Sequence, residues 1–370
     1  MSLAKTEEQR QLQESVRRLL TDHMPLTRVR AVAAEDTGAD QRLSGLLAGI
    51  GIPSLPVPEE YGGTGSGYAE LVYAFEEFGR SLAPTPYLAT LGLGVPALLA
   101  SQDEAALKDY LPRVAAGDLT IAVAWVDAGG DWNTPTGTSA NQAADGSWSV
   151  TGGKAYVLDG QTAGLLLVLA RIDEGEALFA VDAAAPGTER TVTPTLDQTR
   201  PIARVTFADT PARLVGGPGA GLDILSSALD HASLLLAAEM TGGAQACLDM
   251  SVDYAKIREQ FGRPIGSFQA IKHKCAEIMV VVEGARAAVC YGGWAATENP
   301  AELPVVSVIA KIAAAEAYFR AAAENVQIHG GIGFTWEHDA HLYFKRAESS
   351  MLLFGDLSAY RRKLADRIGI

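Results

Sequence analysis

The chain has 370 residues, 48% hydrophobic and 20% charged, with 30 Lys+Arg against 44 Asp+Glu and a formal net charge of −14. This is a globular composition with ample core, and its acidic balance excludes the basic footprint that a nucleic-acid or anionic-membrane surface needs. No run of about eighteen apolar residues offers a membrane span, and the amphipathic start MSLAKTEEQRQLQESVRRLL lacks the apolar centre of a signal peptide, so a cytoplasmic protein is expected.

Residues 1–118 read as helical. Val16, Leu19 and Leu20, then Leu43, Leu46, Leu47 and Ile50, recur at helical spacing, and 70–78 keeps the same period. Pro84, Pro86 and Pro96 mark breaks between helices. Helical periods vanish over 119–222. Short Val/Thr/Leu runs at 120–126, 148–151, 165–170, 178–181 and 203–207 lie between turn clusters there, and Ala144-Asp145-Gly146 and Asp173-Glu174-Gly175 suit hairpin turns. This zone predicts a compact antiparallel β domain. From 223 to 370 the chain is Ala-rich and helical again. Its segments 223–258, 268–298, 303–329 and 340–367 are apolar nearly all round in places, as in a bundle or a subunit interface. The predicted class is α+β: a helical domain at 1–118, a β domain at 119–222 and a four-helix bundle at 223–370. Cys247, Cys275 and Cys290 are an odd number without metal spacing, and are expected as buried reduced thiols.

Two stretches carry chemistry. In the first, Tyr254 to Gln269, a long helix ends in Arg258, then a Phe261-Gly262-Arg263-Pro264 corner leads to a new helix. Arg258 has planar donors that suit phosphate, Phe261 a face for stacking, and Gln269 an amide for a base or sugar. Taken alone, an interhelix turn with a surface Arg explains this stretch as well. In the second, Gln327-Ile328-His329-Gly330-Gly331-Ile332-Gly333-Phe334, glycines let backbone N–H groups approach a pyrophosphate, though a glycine C-cap followed by a turn has the same composition.

Together the two stretches closely resemble the paired signatures of the acyl-CoA dehydrogenase family. Val57-Pro58-Glu59-Glu60-Tyr61-Gly62-Gly63 looks like that family's N-terminal motif, and the helical, β, helical order matches. The resemblance implies an FAD cofactor whose adenine-diphosphate half is held by a neighbouring subunit. Carried over by residue, Arg258, Phe261 and Gln269 match the first adenine-diphosphate motif, and Gln327, Gly330 and Gly331 the second. It also implies α,β-dehydrogenation of an acyl-CoA, with a carboxylate taking the α-proton, and an electron-transfer flavoprotein-like acceptor.

The sequence departs from the family pattern at the chemistry. The usual Glu base position holds Phe354, and the alternative upstream position holds Ala232, within Asp230-His231-Ala232-Ser233. In the β domain the family's acidic loop reads Val126-Asp127-Ala128-Gly129-Gly130-Asp131, and Leu158 stands where a Thr hydroxyl reaches the flavin. Asp356 is the remaining candidate base. Glu239 reads as a paired or surface carboxylate. His329, His338 and His341 fit no common metal site, two of them reading as exposed. Gly62 to Gly67 reads as a flexible lead-in to a helix. An intact adenine-diphosphate half beside an eroded ring half is similar to the unlike-subunit (α2β2) acyl-CoA dehydrogenases of actinobacterial steroid side-chain degradation, which implies an unlike partner and a bulky acyl-CoA. A homomeric enzyme using Asp356, and a catalytically silent structural subunit, are the competing expectations.

Overall fold

The structure is a computed structural model that describes residues 5–35, 37–130, 132 and 137–370. In chain order, α1 (Glu7–His23), α2 (Leu26–Ala33), α3 (Gln41–Gly49), α4 (Tyr68–Arg80), α5 (Val95–Ser101) and α6 (Glu104–Ala115) precede the strands. These are β1 (Ile121–Ala124), β2 (Ser139–Gln142), β3 (Trp148–Leu158), β4 (Leu165–Ile172), β5 (Gly175–Asp182), β6 (Thr188–Val192) and β7 (Ile202–Val215). Then come α7 (Gly221–Ile257), the short pair β8 (Glu259–Gln260) and β9 (Arg263–Pro264), α8 (Gln269–Glu298), α9 (Leu303–His329), α10 (Ala340–Leu352) and α11 (Leu357–Ile368). The chain forms two compact units, one of Val32–Gly67 and Pro84–Ala232, the other of Met1–Ala31, Tyr68–Ala83 and Ser233–Ile370.

The first unit is built on the β region. Strand β4 pairs with β5 across the two-residue turn Asp173-Glu174, with Ile172 opposite Gly175, while β2 and β3 flank the turn at Asp145-Gly146. Strand β7 pairs with β3, β5 and β6. Because β2 also touches β4 at Ser139 and Arg171, the pairings β4–β2–β3–β7–β5–β4 close on themselves. Closure leaves few open strand edges. The sheet is mixed rather than purely antiparallel, since β1 and β2 both run parallel to β4. Alternating residues such as Leu166, Val168, Phe179, Val181, Ala203 and Val205 fill its core. A buried π-helical turn, Leu88–Gly94, runs straight into α5. Pro96 therefore lies inside a continuous helical run, where the π-helical turn passes into α5, and not at a break. Thr90 ties this turn to β1, its Oγ1 accepting from Ile121 N at 3.0 Å. The glycine-rich lead-in to α4 is fastened rather than loose. Thr64 N, Gly65 N and Gly67 N donate to the carbonyls of Ser54, Val57 and Leu55, and a Cβ on Gly63 would meet Val57 O at 1.9 Å.

The second unit is helical. Helix α4 is buried on nearly every face, including two carboxylates. Glu77 accepts from Arg17 and from Gln13, and Glu76 accepts from Arg286 Nε at 2.9 Å. Paired in this way, the charges escape most of the penalty of burial. Helices α4 and α7 touch backbone to backbone at two glycines: a Cβ on Gly79 would stand 1.7 Å from Glu239 O, and one on Gly242 1.7 Å from Glu76 O. The predicted helix 340–367 is two helices. Phe354 at φ 66° and Gly355 at φ 121° turn the chain between α10 and α11. All three cysteines are free, but only Cys247 is fully buried.

Candidate functional site

Helix α7 stops at Ile257, and the next residues fold into a two-residue hairpin. Glu259 pairs with Pro264 and Gln260 with Arg263 around Phe261 (φ 54°) and Gly262 (φ 74°). Two successive left-handed residues are what a tight hairpin demands, yet one of them is Phe, which bears the Cβ strain of that region. The strain presents its ring to solvent: Phe261 is 92% exposed. Ile265 N donates to Arg258 O at 2.8 Å and closes the hairpin base. Gly266 lets the following turn lie against α7, where a Cβ would come within 2.8 Å of Ala255 O. Arg258 and Gln269 are exposed, and among the described residues the Arg258 guanidinium has no ion-pair partner.

Gln327 lies exposed in the last turn of α9, ahead of the 3-10 turn Gly330–Phe334. Gly330 takes φ 66°, and a Cβ on Gly330 or Gly331 would meet no atom within 4 Å. Their backbone therefore faces open space that a ligand can approach. The two stretches sit at matching ends of α7 and α9. Ser251 Oγ donates to Asn325 Oδ1 at 3.0 Å, and the Tyr254 and His329 rings stack at 4.2 Å. Thus the six residues carried over for an adenine-diphosphate lie on paired, exposed helix ends, with a free guanidinium, a bare aromatic face and open glycine backbone. That donor set fits the pyrophosphate and adenosine half of FAD.

The expected base positions look different. Phe354 is 8% exposed and Ala232 fully buried, and neither side chain can accept a proton. Asp356 is exposed and caps α11, its carboxylate accepting from Ala359 N at 2.7 Å. The turn that carries Phe354 is fixed by a residue the sequence did not single out. Lys311 is wholly buried on α9, and its ammonium donates to Ser350 O at 2.5 Å and Leu353 O at 3.1 Å, with the Tyr360 ring 5.4 Å away. Tyr360 OH in turn lies 2.8 Å from Ser233 Oγ. A lysine inside an Ala-rich apolar helix was the available signal. Glu239 is buried and accepts from Arg346 Nη1 at 2.9 Å, which makes it the paired carboxylate expected.

On β3, Leu158 is buried at the strand end. Lys154 is buried too, donating to Trp125 O at 3.0 Å and Asp127 Oδ1 at 2.6 Å. Burial drives its pKa below the ordinary lysine value, against the pull of Asp127. A bulge follows, with Tyr156 at φ 52°; its ring stacks on Trp132 at 5.5 Å, and Trp132 lies 5.6 Å from buried Trp125. Asp131, the last residue of the acidic loop, lies outside the described residues. The three histidines correct another expectation, for none is exposed: His329 and His341 are buried and His338 is half-buried. Among the described residues no group of three or more His, Cys, Asp or Glu is arranged to hold a metal ion, and no helix is long and apolar enough to cross a membrane.

Comparison with known proteins gives consistent matches along the chain. The acyl-CoA dehydrogenase N-terminal domain matches residues 6–118 and the acyl-CoA dehydrogenase C-terminal domain residues 219–369. The acyl-CoA dehydrogenase IpdE2 of Mycobacterium tuberculosis is 36% identical over 98% of both chains. Among solved structures, a variant of the steroid ACAD Tcur3481-Tcur3483 superposes with a TM-score of 0.87 at 34% identity, covering 98% of each chain. The ChsE4-ChsE5 complex of Mycobacterium tuberculosis gives 0.90 at 28% identity, covering 100% of this chain and 99% of that one.

Proposed function

The chain belongs to the acyl-CoA dehydrogenase family, a family of FAD-using oxidoreductases, and from that premise we propose that it completes the cofactor site of a heteromeric enzyme. In this proposal it pairs with an unlike acyl-CoA dehydrogenase subunit in an α2β2 assembly and contributes the adenine-diphosphate half of each FAD site. The substrate proposed is a bulky, steroid-derived acyl-CoA thioester, the acceptor an electron-transfer flavoprotein-like protein, and the setting the cytoplasm.

The observation that carries this reading is the contrast between the two sets of residues. Those suited to an adenine-diphosphate are exposed and open, and among the described residues Arg258 has no ion-pair partner. Those where a base would stand are a buried Phe354 and a buried Ala232, and the nearby Asp356 is engaged as a helix cap. The names of two similar structures, a steroid ACAD and a ChsE4-ChsE5 complex, support the substrate class and the unlike partner.

Arg258 would neutralise the pyrophosphate through charge-assisted hydrogen bonds, with the backbone of Gly330 and Gly331 and the Gln327 amide completing the grip. Phe261 and Gln269 would hold the adenosine. Bound there, FAD supplies the acceptor for the hydride that leaves the substrate β-carbon. The α-proton must go to a carboxylate, which on this reading the partner provides.

The test is to purify the chain alone and with its partner, then measure flavin absorbance per subunit and acyl-CoA turnover. The expected result is no turnover from the chain alone, and two FAD per four chains in an active complex. A homotetramer with one FAD per chain and normal turnover would overturn the proposal.

A further inference from the structure

The turn Gly330–Phe334 rests on three imidazoles, two of which, His338 and His341, make hydrogen bonds that require the neutral form. His338 Nδ1 accepts from Ala340 N at 3.1 Å, so that nitrogen carries no proton. His341 Nε2 lies 3.3 Å from Arg30 Nη2. A guanidinium has no acceptor, so the imidazole must accept. The other His341 nitrogen donates to the Trp336 carbonyl. His329 Nδ1 donates to Asn325 O at 2.8 Å, and its ring lies between Tyr254 at 4.2 Å and His338 at 4.3 Å. The turn is seated directly on this group: a Cβ on Gly333 would meet His329 Cβ at 2.9 Å, and the Trp336 ring stands edge-on to His341 at 4.9 Å.

The charged groups acting on the trio are Arg30 from α2, Lys345 from α10 and Asp339, which is itself bonded to Arg30 at 2.7 Å. Lys345 also lies over the Trp336 ring at 4.0 Å. Two cations and one already-paired anion therefore surround three bases. Adding a proton to His338 or His341 sets N–H against a donor, and each further proton repels Arg30 and the other two rings.

We propose that His329, His338 and His341 form a proton-sensitive latch on the turn Gly330–Phe334, seating it while all three rings are neutral and freeing it when they charge. The latch would regulate the grip on the adenine-diphosphate, a role that rests on the function proposed above. Burial lowers the pKa of each ring, which is consistent with the neutral form at neutral pH.

The test is hydrogen–deuterium exchange of the full-length chain, alone and in its flavin-bearing complex, at about pH 7.5 and about pH 5.5, corrected for intrinsic exchange. In the wild type, protection of amides 330–336 should fall at least about tenfold at the lower pH, because the freed turn takes up protons that the seated one refuses. The double variant His338→Asn with His341→Gln keeps an acceptor facing Ala340 N and Arg30 but cannot titrate there, and should lose most of that response. Equal protection at both pH values in the wild type, or an undiminished response in the double variant, would overturn the latch. Flavin retention separates the two proposals. Proton-dependent exchange with retention unaffected by pH would keep the latch and remove the turn from the cofactor site.

Discussion

Asp356 shows how one carboxylate can look catalytic in sequence and structural in space. It lies two residues past a position where the family places its base, yet its carboxylate accepts from Ala359 N at 2.7 Å as the cap of α11. Asp356→Asn retains a capping side chain and is expected to leave the turnover of the assembled complex unchanged, whereas Asp356→Ala should destabilise the chain by about 1 kcal/mol without abolishing turnover. A loss of turnover beyond tenfold in the Asn variant would make Asp356 the base. Arg258→Ala should lower the flavin content of the complex while leaving the chain folded, because an exposed guanidinium without an ion-pair partner contributes little to stability; unchanged flavin absorbance would count against its phosphate role. Lys311→Met should cost about 2–3 kcal/mol, since it strips a charged donor from two buried carbonyls, measured as a lower denaturation midpoint. At this scale the candidate adenine-diphosphate residues were legible only through the resemblance of two paired motifs, since Arg258, Phe261 and Gln269 by themselves suit an interhelix turn equally well. Lys311 was not, because its partners Ser350 and Leu353 are carbonyls about forty positions away, and a main-chain acceptor carries no side-chain signature.

Between elements, α4 and α7 cross in close contact at Gly79 and Gly242, where a methyl group would overlap a main-chain oxygen. Gly79→Ala and Gly242→Ala should each destabilise by about 3 kcal/mol or more, because backbone cannot move aside as a side-chain tip can. Thermal unfolding of each variant checks this, and an unchanged midpoint would mean the helices slide freely. The helical zones were readable from periodicity, as was the hairpin at Asp173-Glu174. Strands β2 and β6 escaped notice: Ser139–Gln142 and Thr188–Val192 are short and polar, and they are held by pairing with β3 and β7 rather than by apolar alternation. The break within 340–367 was hidden for a related reason. Phe354 adopts a left-handed conformation that only its surroundings impose, the carbonyls of Ser350 and Leu353 just before it being held by Lys311.

For the whole molecule, the charge balance is acidic but the acid response should be set by histidines. His231, His329, His338 and His341 all have pKa values lowered by burial. An unfolded chain takes up protons as pH drops through the ordinary histidine value of about 6.5, while the folded chain still refuses them, so the unfolded state binds more protons and stability falls with pH in that window. Urea midpoints between about pH 7.5 and about pH 5.5 should therefore decline, and a flat or rising profile would contradict the linkage.

The division of the chain into interleaved units also has a consequence for biosynthesis. Helix α4 is buried almost entirely, and its seat on α7 is formed around Gly242, some 160 residues later. At the usual ~5–20 residues per second, α4 leaves the ribosome on the order of ten to thirty seconds before the helix that covers it. Meanwhile the segment 84–232 can close its strands independently, while the apolar flank of α4 and the carboxylate of Glu76, whose partner Arg286 is still to come, remain uncovered. A nascent chain halted near residue 232 should thus hold a protease-resistant β region and recruit a holdase chaperone at 68–83, where the finished protein offers it nothing to bind.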